Sequence, residues 1–219
     1  MELDHIFVCV EPGAQQAEIL KKFGLTEGPP NQHHGQGTAN RRFFFKNAYL
    51  ELLFLQDSIE IQNELTKPTK LYERFSYDKN KVSPFGVGFR PTTDSEGQAP
   101  FPVWPYKPLY LPDALQIDIG YAPLNEPMWF FLAFASRPDQ SIKSIRQSLV
   151  HPQGFGEITS LKITFPKFSK LSEPALFATS LDGIEIIMGN ENLVKIGFDH
   201  EHSNQSYDFR PELPLVFGW

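Results

Sequence analysis

The sequence predicts an α+β protein assembled from a repeated strand–helix–strand unit, and three observations carry that prediction. Nineteen prolines cut the 219 residues into short elements, which argues against a helical bundle. Twenty phenylalanines among β-branched neighbours supply much of the core. The same order of elements recurs three times at intervals of roughly 70 to 80 residues, longer than solenoid repeats run.

The first unit opens with Leu3 to Val10, a β-branched and aromatic run ended by Glu11-Pro12-Gly13. Ala14 to Phe23 follows with apolar residues at helical spacing, and Gly24 stops the helix. After a polar loop over Pro29 to Ala39, Arg41 to Lys46 and Ala48 to Leu55 read as strands joined by a Lys46-Asn47 turn. The charged stretch from Asp57 to Asn80, broken by Pro68, reads as a helical connection.

The second unit begins with the strand Phe85 to Arg90, passes through an irregular, proline-rich segment over Asp94 to Pro112, and closes with Leu115 to Tyr121 paired with Trp129 to Ala135. A helical stretch is expected over Ile142 to Leu149. The third unit has strands over Thr159 to Phe165, Ile184 to Met188 and Leu193 to Phe198, with a short helix over Leu171 to Thr179. The expected divisions are a first module over 1–56, a connection over 57–80, a divergent second module over 81–138, a third over 156–200, and a tail over 201–219.

Composition removes several function classes. Cys9 is the only cysteine, so no intramolecular disulfide, cysteine-based zinc site or iron–sulfur cluster can be assembled, and a reducing compartment is expected. The N-terminus lacks the basic and apolar stretches of a signal peptide and no run is long enough to span a bilayer, so the expectation is a cytoplasmic protein without membrane partners. Net charge is -6 without a Lys/Arg block, which argues against nucleic acid and for a small-molecule partner. Neither a G-x-S-x-G elbow nor an H-E-x-x-H helix is present, and Cys9 lies on an apolar strand.

Three words in the N-terminal region carry more specific information: Leu3-Asp4-His5-Ile6, the loop His34-Gly35-Gln36-Gly37-Thr38-Ala39-Asn40-Arg41-Arg42, and Asn47-Ala48-Tyr49-Leu50-Glu51-Leu52-Leu53. Together they resemble the glyoxalase-like branch of the vicinal oxygen chelate superfamily. That resemblance implies paired β-α-β-β-β modules forming curved mixed sheets around a cleft, with metal ligands on the first and last strands of each module. His5 and Glu51 fall on those two positions in module one. The matching strands of module two, Ser83 to Phe89 and Met128 to Ala133, offer neither carboxylate nor imidazole, so two of the four ligands the family implies are missing.

Physical reasoning singles out the same pair. Each is a polar group in a strand of apolar neighbours, and a buried carboxylate needs a metal, an arginine such as Arg41 or Arg42, a histidine or water. The pair reads either as a structural strand clamp, or as a cleft pair that is half a metal site or a general base with its orienter. The resemblance implies a divalent ion, Zn, Mn, Ni or Fe, held by His5 and Glu51, with His33 or His34 as a possible third donor. His34, Thr38, Asn40, Arg42, Arg90 and Trp104 are the expected substrate-binding residues, with Tyr106 beside Trp104. Gly35 to Thr38 lacks phosphate-loop spacing and reads as a turn on the cleft rim, and Asp199-His200-Glu201-His202 reads as exposed charge at a strand end.

The functional expectation is a small-molecule enzyme of lyase, isomerase or dioxygenase type with its cleft around His5 and Glu51. The alternative is a ligand-binding or sequestering protein that has lost the metal site. A third possibility is a scaffold in which the last module covers the cleft or forms a homodimer.

Overall fold

The structure is a computed structural model and describes residues 1–75, 81–92, 97–141, 147–166 and 170–219. It is a mixed α+β fold of two sheets with few helices. The first unit comprises β1 (Glu2–Val10), α1 (Ala17–Phe23), β2 (Asn31–His33), β3 (Thr38–Phe44) and β4 (Tyr49–Leu55). Helix α1 buries Ala17 and Leu20, and Gly24 ends it at φ 114°, giving its N–H to the carbonyls of Leu20 and Lys21.

The second unit comprises β5 (Phe85–Arg90), β6 (Val103–Tyr106), β7 (Ile117–Gly120) and β8 (Met128–Phe131). All eight strands form one sheet in the order β2-β3-β4-β1-β5-β8-β7-β6. The order is symmetric about its centre: β4 runs parallel to β1, β8 parallel to β5, and β1 and β5 meet antiparallel.

Two segments differ from expectation. Strand β6 lies inside the proline-rich segment read as irregular; it is an edge strand whose single partner is β7, so Pro105 can be accommodated without breaking a ladder on both sides. The connection after β4 holds 3₁₀ turns at Glu60–Gln62 and Lys67–Thr69 and a single helical turn, α2 (Leu71–Arg74), in place of longer helices. Of the helix expected over 142–149, residues 142–146 lie outside the described residues and 147–149 are irregular.

Residues 156–200 supply β9 (Ile158–Pro166), α3 (Glu173–Thr179), β10 (Ile184–Gly189) and β11 (Leu193–Phe198), and residues 201–219, read as a tail, supply β12 (Ser206–Asp208) and β13 (Leu215–Gly218). These build a second sheet in the order β10-β9-β11-β13-β12. Its pairings are parallel, antiparallel, parallel and antiparallel in turn, the same succession as β4-β1-β5-β8-β7 in the first sheet. The third unit is therefore a five-stranded echo of the centre of the first sheet.

Strand alternation divides the first sheet into two faces. Ile6, Val8, Leu50, Leu52, Val87, Phe89, Trp129 and Phe131 join one buried cluster with Leu161, Ile163, Val194, Ile196, Leu215 and Phe217 of the second sheet and with helices α1 and α3. His5 and Phe7 of β1, Glu51 and Leu53 of β4, and Phe130 of β8 point the other way, where Phe7, Leu53, Tyr106, Ile119, Met128 and Phe130 form a second, smaller cluster. Asn47, in the turn before β4, ties the sheets together: its side chain donates to Ile158 O at 2.7 Å and accepts from Ile158 N at 2.9 Å. Among the described residues, no helix is long and apolar enough to cross a membrane.

Candidate functional site

The face that turns away from the second sheet carries the polar residues. In an ordinary strand Asp4 and His5 would point to opposite sides, but the β1–β5 register shifts between Leu3 and His5. At this irregularity the two neighbouring side chains meet: His5 Nδ1 donates to Asp4 Oδ2 at 2.6 Å. Asp4 is held from behind by Arg90, whose Nη1 donates to Oδ1 at 3.1 Å. The same guanidinium reaches Glu2 at 3.1 Å and the Asn47 carbonyl at 2.5 Å. Arg90, expected to bind substrate, is 1% exposed and clamps β1 from within the fold.

The other imidazole nitrogen, His5 Nε2, lies 3.4 Å from Glu51 Oε2. Glu51 sits on β4 one alternation along from the position beside His5, on the same face. With Nδ1–H committed to Asp4, Nε2 and Oε2 face each other as two acceptors unless one proton lies between them. An imidazole nitrogen and a carboxylate oxygen so placed are groups between which a proton can pass. Tyr49 stacks on the imidazole at 4.3 Å between ring centroids, and Phe130 flanks it at 5.0 Å.

Glu51 Oε1 accepts from Asn40 Nδ2 at 2.7 Å. The Asn40 amide is oriented by Asn31, whose backbone N–H donates to Oδ1 at 2.9 Å, and its Nδ2 also lies 3.4 Å from His33 Nε2. His33 Nδ1 is 2.9 Å from Thr38 Oγ1, and Gln36 Nε2 donates to that hydroxyl at 2.8 Å. Gln36 Oε1 accepts from the Tyr106 hydroxyl at 3.0 Å, which lies 3.1 Å from Thr66 Oγ1. A buried polar chain thus runs from Arg90 through Asp4, His5, Glu51, Asn40, His33, Thr38 and Gln36 to Tyr106 on the outermost strand of the second unit. Such a network rigidifies a site only because each member is satisfied.

Among the expected catalytic and substrate-binding residues, His5, Glu51, Asn40, Thr38 and Arg90 belong to this network. His34 is exposed and lines a pocket of about 210 Å3 with Gln32, His33, Gly37, Thr38, Gln56, Asp57 and Glu60. Arg42 turns outward, donating to the Pro29 carbonyl at 3.1 and 3.3 Å and lying over the Phe44 ring. Arg41 pairs with Glu18 and Glu27. Trp104 packs beside Tyr106 at the rim of the smaller cluster. Asp4, His33, Gln36 and Tyr106 carry more of the site than the sequence reading gave them. The signal for Asp4 was its adjacency to His5; the others become legible only once β2, β3 and β6 are brought together.

On the module-two side the face is apolar for a steric reason. Gly88 lies beside His5 and Gly86 beside Phe7 across the β1–β5 ladder. A Cβ on Gly86 would lie 2.0 Å from the Phe7 ring, and one on Gly88 2.5 Å from the Phe130 ring. The Phe7 and Phe130 rings take up the space beside these glycines.

This bears on the divalent ion that the resemblance implies. Asp4 behind His5 is the kind of partner that orients a metal-bound imidazole. The donor count does not fit, however: Nε2 and Oε2 are two donors where a divalent ion takes three or more from protein. The space around them is bordered by the Tyr49 and Phe130 rings. Among the described residues, no group of three or more His, Cys, Asp and Glu is placed to hold a metal.

Burial also sets a pH dependence. Burial pushes the pKa of His33 below the ordinary histidine value, and the same cause lowers that of His151, which accepts from Thr26 N at 2.9 Å and donates to the Phe44 carbonyl at 2.9 Å. A histidine whose folded pKa is depressed leaves the unfolded chain binding more protons, so stability is full above the unfolded value near 6.5 and falls as pH drops below it. Thermal melts from pH 7.5 to 5 are expected to show a falling Tm, and a His33→Gln/His151→Gln double variant a flatter profile. An equal slope in the variant would remove both histidines as the source.

Comparison with known proteins bears on the first unit and on the fold. A family model described as a glyoxalase-like domain matches residues 3–90, which is the whole first unit through the end of β5. A hypothetical protein from Staphylococcus aureus, solved by crystallography, has a TM-score of 0.54 and 13% identity, with 98% of each chain covered; it shows the fold alone. No curated protein matches the chain.

Proposed function

We propose, from the match of residues 3–90 to a family model described as a glyoxalase-like domain, that the face bearing His5 and Glu51 binds a small organic molecule and moves a proton on it, as a lyase or isomerase would. The observation that supports this reading is the buried Asp4–His5–Glu51 alignment, with Nε2 and Oε2 3.4 Å apart. Glu51 is the group that takes or gives the proton. His5 is its exchange partner, Asp4 fixes the imidazole tautomer, and Asn40 holds Oε1 so that Oε2 remains available. The apolar half made by Phe7, Ile119, Met128 and Phe130 would receive the ligand's carbon skeleton. The dioxygenase version needs a redox metal, for which these residues do not supply the donors.

Deuterium incorporation into small carbonyl compounds in D2O, followed by NMR, tests the reading. The wild-type protein is expected to catalyse exchange on at least one of them, unchanged by a chelator, and Glu51→Gln to lower the rate by about 10²–10⁴-fold. Undiminished exchange in Glu51→Gln would remove Glu51 from the chemistry.

One observation favours a second reading, a binding protein without turnover. The Phe7 and Phe130 rings take up the space beside Gly86 and Gly88 on the module-two side. It predicts compounds that bind wild type, are lost from His5→Ala and Glu51→Ala, and undergo no exchange.

A further inference from the structure

The connection between β6 and β7 runs over residues 107–116, longer than the two to five residues of most hairpin loops. Its internal backbone bonds, Leu111 N to Pro108 O and Leu115 N to Pro112 O, are those of two turns. The loop reaches the site through two side chains. Tyr110 stacks on His33 with ring centroids 4.7 Å apart at 30°, and Leu109 rests on Gly35, where an added Cβ would lie 2.8 Å from Leu109 Cδ1. Leu109 is otherwise 73% exposed. A segment with few backbone bonds to its surroundings belongs to the part of a fold that opens most readily.

His33 is linked through Asn40 to Glu51, so Tyr110 lies over the polar half of the face proposed above. We propose that Tyr110 is a built-in plug: its ring stands in for a planar, hydroxyl-bearing ring of the ligand, and the loop over 107–116 swings away to admit that ligand. The inference rests on the reading of His5 and Glu51 as a ligand site. It is supported by the electrostatics of the phenol, which burial and then the neighbouring Tyr106 and Glu51 push above the ordinary tyrosine range. Such surroundings favour a neutral hydroxyl, as a phenolic ligand would present there.

Calorimetric titration of the full chain with 4-nitrophenol tests this, using wild type, Tyr110→Ala, Tyr110→Phe and Leu109→Ser, each with and without Glu51→Gln. If the open state is about a tenth of the population, removing the plug strengthens apparent binding by about tenfold. Tyr110→Ala is expected to show that gain, and Leu109→Ser, at a mostly exposed position, a gain of about threefold through the loosened loop. Tyr110→Phe keeps the ring and is expected to match wild type. Unchanged affinity in both Tyr110→Ala and Leu109→Ser overturns the plug; if Glu51→Gln still weakens binding in those backgrounds, the site itself stands. Affinity indifferent to Glu51→Gln in every background, or no binding by any variant, overturns the site and the plug together. Should Tyr110→Ala fail to fold, Leu109→Ser alone decides the plug.

Discussion

Replacing Arg90 with alanine is expected to lower the unfolding free energy by about 3–5 kcal/mol, the range for breaking a buried ion pair by removing one partner. Arg90 is 1% exposed and bonds Asp4, Glu2 and the Asn47 carbonyl at once. Its loss leaves the Asp4 carboxylate buried with His5 as its remaining partner, and frees the turn through which Asn47 reaches the second sheet. Urea denaturation measures the change. The double variant Arg90→Leu/Asp4→Leu separates the two parts of the effect, because removing both charges relieves the stranded carboxylate, and it should recover part of the loss. A loss below about 1 kcal/mol in Arg90→Ala would show that water reaches Asp4 in the folded protein.

Phe130→Ala is expected to cost a similar amount, about 3–5 kcal/mol, through a different mechanism. The Phe130 ring is 4% exposed, covers Gly88, and packs near both His5 and Phe7. Truncation leaves a void that Gly88 cannot fill, since it has no side chain to collapse inward. The denaturation midpoint should fall with an unchanged m-value, as for a loss of packing without a change in the surface exposed on unfolding. The void would also open the apolar half of the site beside the imidazole. A midpoint within experimental error of wild type would mean that Phe130 already leaves its place in solution.

Much of this architecture was legible in the sequence, and the reasons are local. β5 and β11 were read at the residues where they form, because each is a short segment carrying β-branched and aromatic residues between turn signals. Gly24 announced the end of α1, since few residues other than glycine accept its backbone angle at low cost. Strand β6 was hidden by Pro105, which is tolerable only at an edge, and edge positions depend on the topology. His5 and Glu51 stood out as polar residues on apolar strands, and they do lie together. Their partners did not stand out. Asp4 turns inward at a register shift that depends on how β5 lies against β1, and Tyr106 meets Gln36 across 70 residues of chain. Arg42 looked like the natural partner of a buried carboxylate, and it stands directly across from Glu51 in the β3–β4 ladder. It instead reaches back to Pro29, and Asn40, a neutral amide, takes its place on the carboxylate.

Among the described residues, the five strands of the rear sheet repeat the middle of the front sheet but have no counterparts of β2, β3 or β6. Those outlying strands are where the front sheet carries His33, Thr38, Asn40 and Tyr106, so the rear copy has the frame of a site without the flanks on which one is assembled. Its role is that of a keel: it supplies the apolar ballast against which the front sheet can keep an arginine, two carboxylates and two imidazoles out of water. Changes of specificity would therefore arise at the edges of the front sheet, while changes in the rear sheet alter how firmly the whole is held.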